Sequence, residues 1–160
     1  MKLKEKKVFL LDMDGTFYLG NTLIPGALEF IKTLDQENKS YYFLTNNSSR
    51  NANFYHHKLV RMGLQLHRGQ IITSGEVCGW FLNQIIPQGR IFLLGTPYLE
   101  QELLRANLIS VQENPDFVVL VFDTTLSFQI RKSLSIYPPG DSLLCDSSRY
   151  QLSHQSWSYP

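Results

Sequence analysis

The 160 residues contain only two cysteines, Cys78 and Cys145. They are too few for a disulfide framework and lack the paired spacing of a zinc site. No apolar run approaches the ~18 residues of a membrane span, and no signal peptide is visible. Charge of one sign is also missing: the formal net charge is +1, which argues against a nucleic acid or other polyanionic partner. Lys2, Lys4, Lys6 and Lys7 are interrupted by Leu3 and Glu5, and a solvated N-terminal segment explains them. There is no internal repeat and no low-complexity linker. His56 and His57 are adjacent on a helical stretch and so face different directions, while His67 and His154 stand alone; surface or packing roles fit them better than a metal site. Gly95-Thr96-Pro97 lacks the Gly-Lys-Ser/Thr ending of a P-loop and reads as a turn. With 43% hydrophobic residues, the chain reads as a soluble, cytoplasmic protein of one domain or slightly more, with no membrane partner.

The chain is organised around Val8 to Gly20. Val8 to Leu11 is an unbroken apolar run ending on Asp12-Met13-Asp14-Gly15-Thr16, the pattern of a buried parallel strand that stops on a turn. Ligands of open α/β sheets bind outside the carboxyl ends of the strands. Residues two apart in an extended segment point the same way, so Asp12 and Asp14 can face one small site, and Gly15 permits a sharp turn after them. Two carboxylates so close favour a cation between them. Magnesium suits such a pair, because it takes oxygen ligands and is usually held by one or two carboxylates plus a substrate phosphate. One carboxylate can then attack phosphorus while the other handles protons. A solvated turn is the alternative. A calcium loop needs further acids and a late Glu, whereas Phe17, Tyr18 and Leu19 follow here.

Tyr41 to Leu44 is a second short apolar run, and it ends in Thr45-Asn46-Asn47-Ser48-Ser49. Hydroxyls, amides and free main-chain N–H groups at a strand-to-helix turn suit phosphate oxygens; Ser48 or Ser49 can equally cap the next helix. Between the two strands, Ala27, Leu28, Phe30, Ile31 and Leu34 recur at helical spacing, completing a β-α-β unit. A helix is predicted from Asn51 to Met62, stopped by Gly63. A third strand at Ile71 to Ser74 opens into a helix around Val77, Trp80 and Phe81. After Pro87-Gln88-Gly89 a second unit begins: a strand at Arg90 to Leu94, a helix carrying Leu99, Leu103 and Leu104, and a strand at Phe117 to Phe122 closed by Asp123-Thr124-Thr125.

The combination DMDGT, LIPGALEFI and YYFLTNNSSR resembles the haloacid dehalogenase-like (HAD) hydrolases, in particular subfamily IIA, whose members resemble p-nitrophenyl phosphatases and sugar-phosphate phosphatases. The similarity runs from about Lys7 to about Thr125. It implies an α/β fold, a partial HAD-type Rossmann-like parallel sheet followed by the first part of an α/β cap domain. The expected division is core at 1–83, cap at 84–136 and an aberrant tail at 137–160. The activity implied is magnesium-dependent hydrolysis of a small phosphorylated metabolite through an aspartyl-phosphate. Asp12 is then the nucleophile and Asp14 the general acid and base. Magnesium sits on a carboxylate oxygen of Asp12 and the main-chain carbonyl of Asp14, and Thr45 with the N–H of Asn46 holds phosphate oxygens. The family pattern also contains a later lysine and a later acidic pair, which the sequence does not supply; Lys132, Asp141 and Asp146 lack the matching context. An uncovered edge of such a sheet invites self-association, so a homo-oligomer is among the expected states.

The stretch Gly140 to Pro160 is rich in Ser, Tyr and Gln and has no apolar period. Read one base later, one set of codons for Cys145 to His154 encodes the Ala-Thr-His-Pro-Asp-Ile-Asn-Cys-Pro series that the family shows there. The expectation is therefore an out-of-frame tail and an inactive truncated chain. A genuinely short homologue, or a non-catalytic fragment that at most binds phosphate or metal, is the alternative.

Overall fold

A computed structural model describes residues 3–121 and 143–145. The predicted Asp123-Thr124-Thr125 turn and nearly all of the 137–160 stretch lie outside the described residues, as do Lys132, Asp141, Asp146 and His154. The first sheet is parallel, with order β1-β4-β5, where β1 is Val8–Asp12, β4 is Ser40–Thr45 and β5 is Ile71–Thr73. A two-stranded antiparallel hairpin joins β2, Tyr18–Leu19, to β3, Thr22–Leu23. The second sheet, again parallel, has order β7-β6-β8-β9, from Ile109–Ser110, Arg90–Leu94, Phe117–Leu120 and Leu143–Cys145. The α/β class and the parallel sheets agree with the sequence reading.

The hairpin is a feature the sequence reading lacked. Gly20 has φ +58, and Gly20-Asn21 forms the two-residue turn between β2 and β3, a position that favours such residues. Helix α1, Ala27–Gln36, buries Ala27, Ile31 and Leu34, and α2, Ala52–Arg61, buries Ala52, Tyr55 and Leu59. Both faces join Met13, Phe17, Tyr18, Tyr41, Phe43 and Ile71 in one apolar cluster. Asn51 caps α2 by accepting from the N–H of Phe54 at 3.0 Å, and Gly63 ends that region with φ +99. The cap is therefore neither Ser48 nor Ser49.

One sequence expectation is corrected. Strand β1 is parallel as expected but not buried: Val8 and Leu10 are 54% and 63% exposed. It is the edge strand of its sheet among the described residues, paired only with β4. In helix α3, Ser74–Ile85, the buried positions are Gly75, Gly79 and Leu82, whereas Val77, Trp80 and Phe81 are exposed. Small residues carry the contact of α3 with helix α4, Pro97–Arg105. A methyl group on Gly75 would overlap the Glu102 carboxylate and Leu99, and one on Gly79 would meet Ala106 Cβ at 2.9 Å. In the stretch Gly140 to Pro160, read as lacking any apolar period, Leu143–Cys145 nonetheless pairs in parallel with β8.

The two sheets are linked through a buried acid. Glu102, on α4 and 3% exposed, accepts from the N–H of Ala52 at 2.9 Å and from the hydroxyl of Thr73 at 2.9 Å. Thr73 in turn caps α3 by accepting from the N–H of Glu76 at 3.1 Å. One carboxylate thus serves the N-terminal ends of two helices, where negative charge is favoured. Asn51 donates to Gln101 at 3.2 Å beside it. Burial pushes the Glu102 carboxyl above the ordinary carboxylate range, opposed by the two hydrogen bonds. Glu102→Ala leaves an N–H and a hydroxyl unpaired and should cost about 1–3 kcal/mol in urea unfolding. Because the folded state holds its proton to higher pH than the unfolded chain, the Glu102 contribution weakens as pH rises from ~4 through the raised value. Glu102→Gln should flatten that slope, and an unaltered slope would show that the carboxyl titrates normally.

Candidate active site

The turn after β1 is built on a buried residue with an acid on each side. Met13 is fully buried, while Asp12 and Asp14 are exposed. The Met13 carbonyl accepts from the N–H groups of Thr16 at 3.3 Å, Phe17 at 2.9 Å and Tyr18 at 3.2 Å. Gly15, at φ +83, reverses the chain and donates its N–H to the Tyr18 carbonyl at 2.9 Å. The Thr16 hydroxyl donates to Asp12 Oδ2 at 2.9 Å. That bond fixes the carboxylate and leaves Oδ1 for other work. No basic side chain pairs with either carboxylate among the described residues.

Asp12 lies opposite Leu44 in the β1–β4 ladder, so the chain leaves β4 through Thr45 and Asn46 beside the two acids. The fold thus brings together all four residues singled out in the sequence. Thr45 is buried and its Oγ1 accepts from the N–H of Asn47 at 3.1 Å. Asn46 is exposed, and its carbonyl accepts from the Ser74 hydroxyl at 3.3 Å. Asn47 Oδ1 accepts from the N–H of Ser49 at 3.1 Å, so the loop is stiffened by its own side chains. Of the described histidines, His56 has Nε2 3.0 Å from the Leu66 carbonyl, and His67 caps a single 3-10 turn at Arg68–Gln70. Among the described residues no three acids, histidines or cysteines cluster as a metal site. The oxygen donors available are therefore the two aspartates and the adjacent main chain. An all-oxygen set with two uncompensated negative charges fits a hard divalent cation that keeps water and substrate oxygens in its other positions.

Three residues around this centre were not picked out from the sequence as functional. Tyr18 is fully buried, and its hydroxyl has no hydrogen-bond partner among the described residues. Burial first, and then the nearby Asp14 carboxylate, push its phenol far above the usual range; Asp14 is close enough to act through charge but outside hydrogen-bonding geometry. Tyr55 donates to the Asn47 carbonyl at 3.3 Å, and burial pushes its phenol up to about 12, with Thr45 opposing and Asp14 reinforcing the rise. Lys58 lies with Nζ 3.7 Å from the Tyr18 ring centroid, and burial lowers its pKa against the pull of Asp14. In the sequence Tyr55 reads as part of the apolar face of its helix and Tyr18 only as a residue following the acid turn. Only the fold shows that the Tyr18 hydroxyl lies near Asp14 and that the Tyr55 hydroxyl reaches the Thr45-Asn46-Asn47 turn.

The sequence profile of the haloacid dehalogenase-like hydrolases matches residues 9–109. The chain belongs to that family. Within it, the likeness is to subfamily IIA. The chain is 30% identical over 128 residues to an acid sugar phosphatase of Staphylococcus saprophyticus, covering 79% of this chain and 49% of that protein. Its fold superimposes on the crystal structure of a 4-nitrophenylphosphatase from Thermotoga maritima with a TM-score of 0.85 and 41% identity, over 89% of this chain and 55% of that one. A glycerol phosphate phosphatase from Mycobacterium tuberculosis, solved in complex with magnesium, gives a TM-score of 0.73 at 27% identity, over 83% of this chain and 41% of that one. The chain therefore spans about half the length of these phosphatases.

The orphaned Tyr18 hydroxyl is a measurable liability in the free protein. Tyr18→Phe removes a buried, unsatisfied group and keeps the ring beneath Lys58, so it should leave thermal stability unchanged or raise it by about 1 kcal/mol. A loss of more than that in thermal unfolding would show that the hydroxyl has a partner.

Proposed function

We propose that this chain carries the nucleophile half of a magnesium-dependent phosphomonoester hydrolase acting on a small phosphorylated metabolite, such as the sugar or glycerol phosphates for which its relatives are named. The observation that carries the reading is the placement of Asp12 and Asp14 on either side of buried Met13, with the Thr45-Asn46 turn one ladder position away. On this reading residues 1–83 belong to the catalytic core and 84–136 open the cap, in keeping with the separate sheets.

Asp12, held at Oδ2 by Thr16, attacks phosphorus through Oδ1. The bond from phosphorus to the leaving oxygen breaks, and protonated Asp14 gives that oxygen its proton. Water then attacks the aspartyl-phosphate, Asp14 takes the water's proton, and the Asp12–phosphorus bond breaks to release phosphate. The Thr45 hydroxyl and the Asn46 N–H bind phosphate oxygens and hold the group in line with Asp12. A carboxylate oxygen of Asp12 and the main-chain carbonyl of Asp14 would hold magnesium, which supplies charge neutralisation for the transferring phosphoryl group.

Among the described residues, only two carboxylates and no paired lysine meet at this point. Residues 1–160 alone should therefore bind phosphate with magnesium yet show no turnover of p-nitrophenyl phosphate above an Asp12→Asn control. Hydrolysis that vanishes in Asp12→Asn would mean that this half of the site suffices. Thr45→Val removes one hydrogen bond to a charged ligand, worth roughly 1.5–3 kcal/mol, so inorganic phosphate should bind about 10- to 150-fold more weakly. Unchanged phosphate affinity would reduce Thr45 to a loop-stiffening role.

A further inference from the structure

Outside the acid pair, the structure holds one basic cavity whose residues the proposed reaction does not use. Its volume is about 430 Å³, and it is lined by Asn21, Phe54, Lys58, Arg61 and Met62. Phe54, Lys58, Arg61 and Met62 are three or four residues apart on and just after α2, so they form one stripe. Asn21 reaches them from the hairpin turn that Gly20, at φ +58, creates. The cavity combines two cations and an amide with an aromatic ring and a thioether.

Its cations, Lys58 and Arg61, form no ion pair among the described residues, and Asp14 acts on Lys58 only through its field. Arg61 donates only Nε, to the His57 carbonyl at 3.3 Å. Lys58 is half-buried over the face of Tyr18 at 3.7 Å, a favourable but partial replacement for its lost hydration. The same tyrosine carries the unpartnered hydroxyl on the side of Asp14. Tyr18 therefore connects the cavity with the acid pair: Lys58 covers its ring, and the Asp14 carboxylate acts on both its hydroxyl and the Lys58 ammonium.

We propose that this cavity binds a second anionic group, a carboxylate or a phosphate, on the leaving-group side of the substrate, so that the preferred substrates are phosphomonoesters whose alcohol is itself an acid. Lys58 and Arg61 supply the charge, the Asn21 amide a directed hydrogen bond, and Phe54 with Met62 the apolar wall for the connecting carbons. The inference rests on the phosphatase reading for the position of the first phosphate, but the anion site itself follows from the cavity.

The test is titration calorimetry on the full 160-residue chain carrying Asp12→Asn, so that no turnover intervenes. Inorganic phosphate, glycerol 3-phosphate, 3-phosphoglycerate and fructose 1,6-bisphosphate are the probes. The carboxylate or the second phosphate should tighten binding over glycerol 3-phosphate by about tenfold, the factor that one hydrogen bond to a charged group brings. The two arms show which anion is preferred. Lys58→Gln and Arg61→Gln should each erase most of that preference while leaving inorganic phosphate binding unchanged. Arg105→Gln, the same change of charge on exposed α4, should leave the preference intact. Equal affinity for glycerol 3-phosphate and both diacids, or a preference that survives Lys58→Gln with Arg61→Gln, would overturn the site. So would failure of every probe to bind. Binding of 3-phosphoglycerate without binding of inorganic phosphate would instead uphold the cavity and contradict the phosphate cradle at Thr45.

Discussion

Three N–H groups converge on the carbonyl of Met13, and the rest of the site depends on that convergence. They are drawn from Thr16, Phe17 and Tyr18, so the chain curls around a single acceptor immediately after the first strand. The Met13 side chain is driven into the core and the two neighbouring acids are left outside it. Gly15 is required because the reversal passes through φ +83, where a residue with a Cβ is strained. The curl also delivers Tyr18 to the core and starts the hairpin that brings Asn21 over α2. A single local hydrogen-bonding pattern thus places both carboxylates, one wall of the basic cavity and the phenol between them.

The acids of this protein divide into two kinds by what surrounds them. Asp12 and Asp14 are exposed and lack a basic partner among the described residues, which leaves their charge available to a cation and a substrate. Glu102 is buried, and its charge is spent on an N–H and a hydroxyl at the starts of α2 and α3. Burial of an acid is costly unless hydrogen bonds satisfy it, and here they tie the second sheet's helix to the turn region of the first. The close approach through Gly75 and Gly79 makes that tie possible. It also turns Val77, Trp80 and Phe81 outward, with Trp80 at 63% exposure.

Much of this was legible in the sequence where a local signal coincided with the global one. Apolar runs ending on Asp12 and on Thr45 marked the two strands β1 and β4, and the alternation across Asp12, Met13 and Asp14 matches the exposure of both acids on either side of buried Met13. Gly63 marked the end of α2 because a positive φ has a residue signature. The failures have the opposite cause. The burial of β1 was overestimated because an apolar run does not reveal whether a strand has neighbours on both edges. The contact face of α3 was missed because glycines carry it and hydrophobic periodicity counts only large residues. Glu102 and Lys58 were invisible for a similar reason: each acts through a partner distant in sequence, as in the Glu102 bonds to Thr73 and Ala52 and the seat of Lys58 over Tyr18.

The central claim is that Asp12 is the group poised to bond to phosphorus, with Asp14 beside it in a different role. Beryllium fluoride forms a stable mimic of an aspartyl-phosphate on a carboxylate so placed, and fluorine NMR of the chain with magnesium reads it directly. The account predicts a magnesium-dependent bound signal that disappears in Asp12→Asn and persists in Asp14→Asn. A signal that survives Asp12→Asn, or none in the wild-type chain, would contradict it.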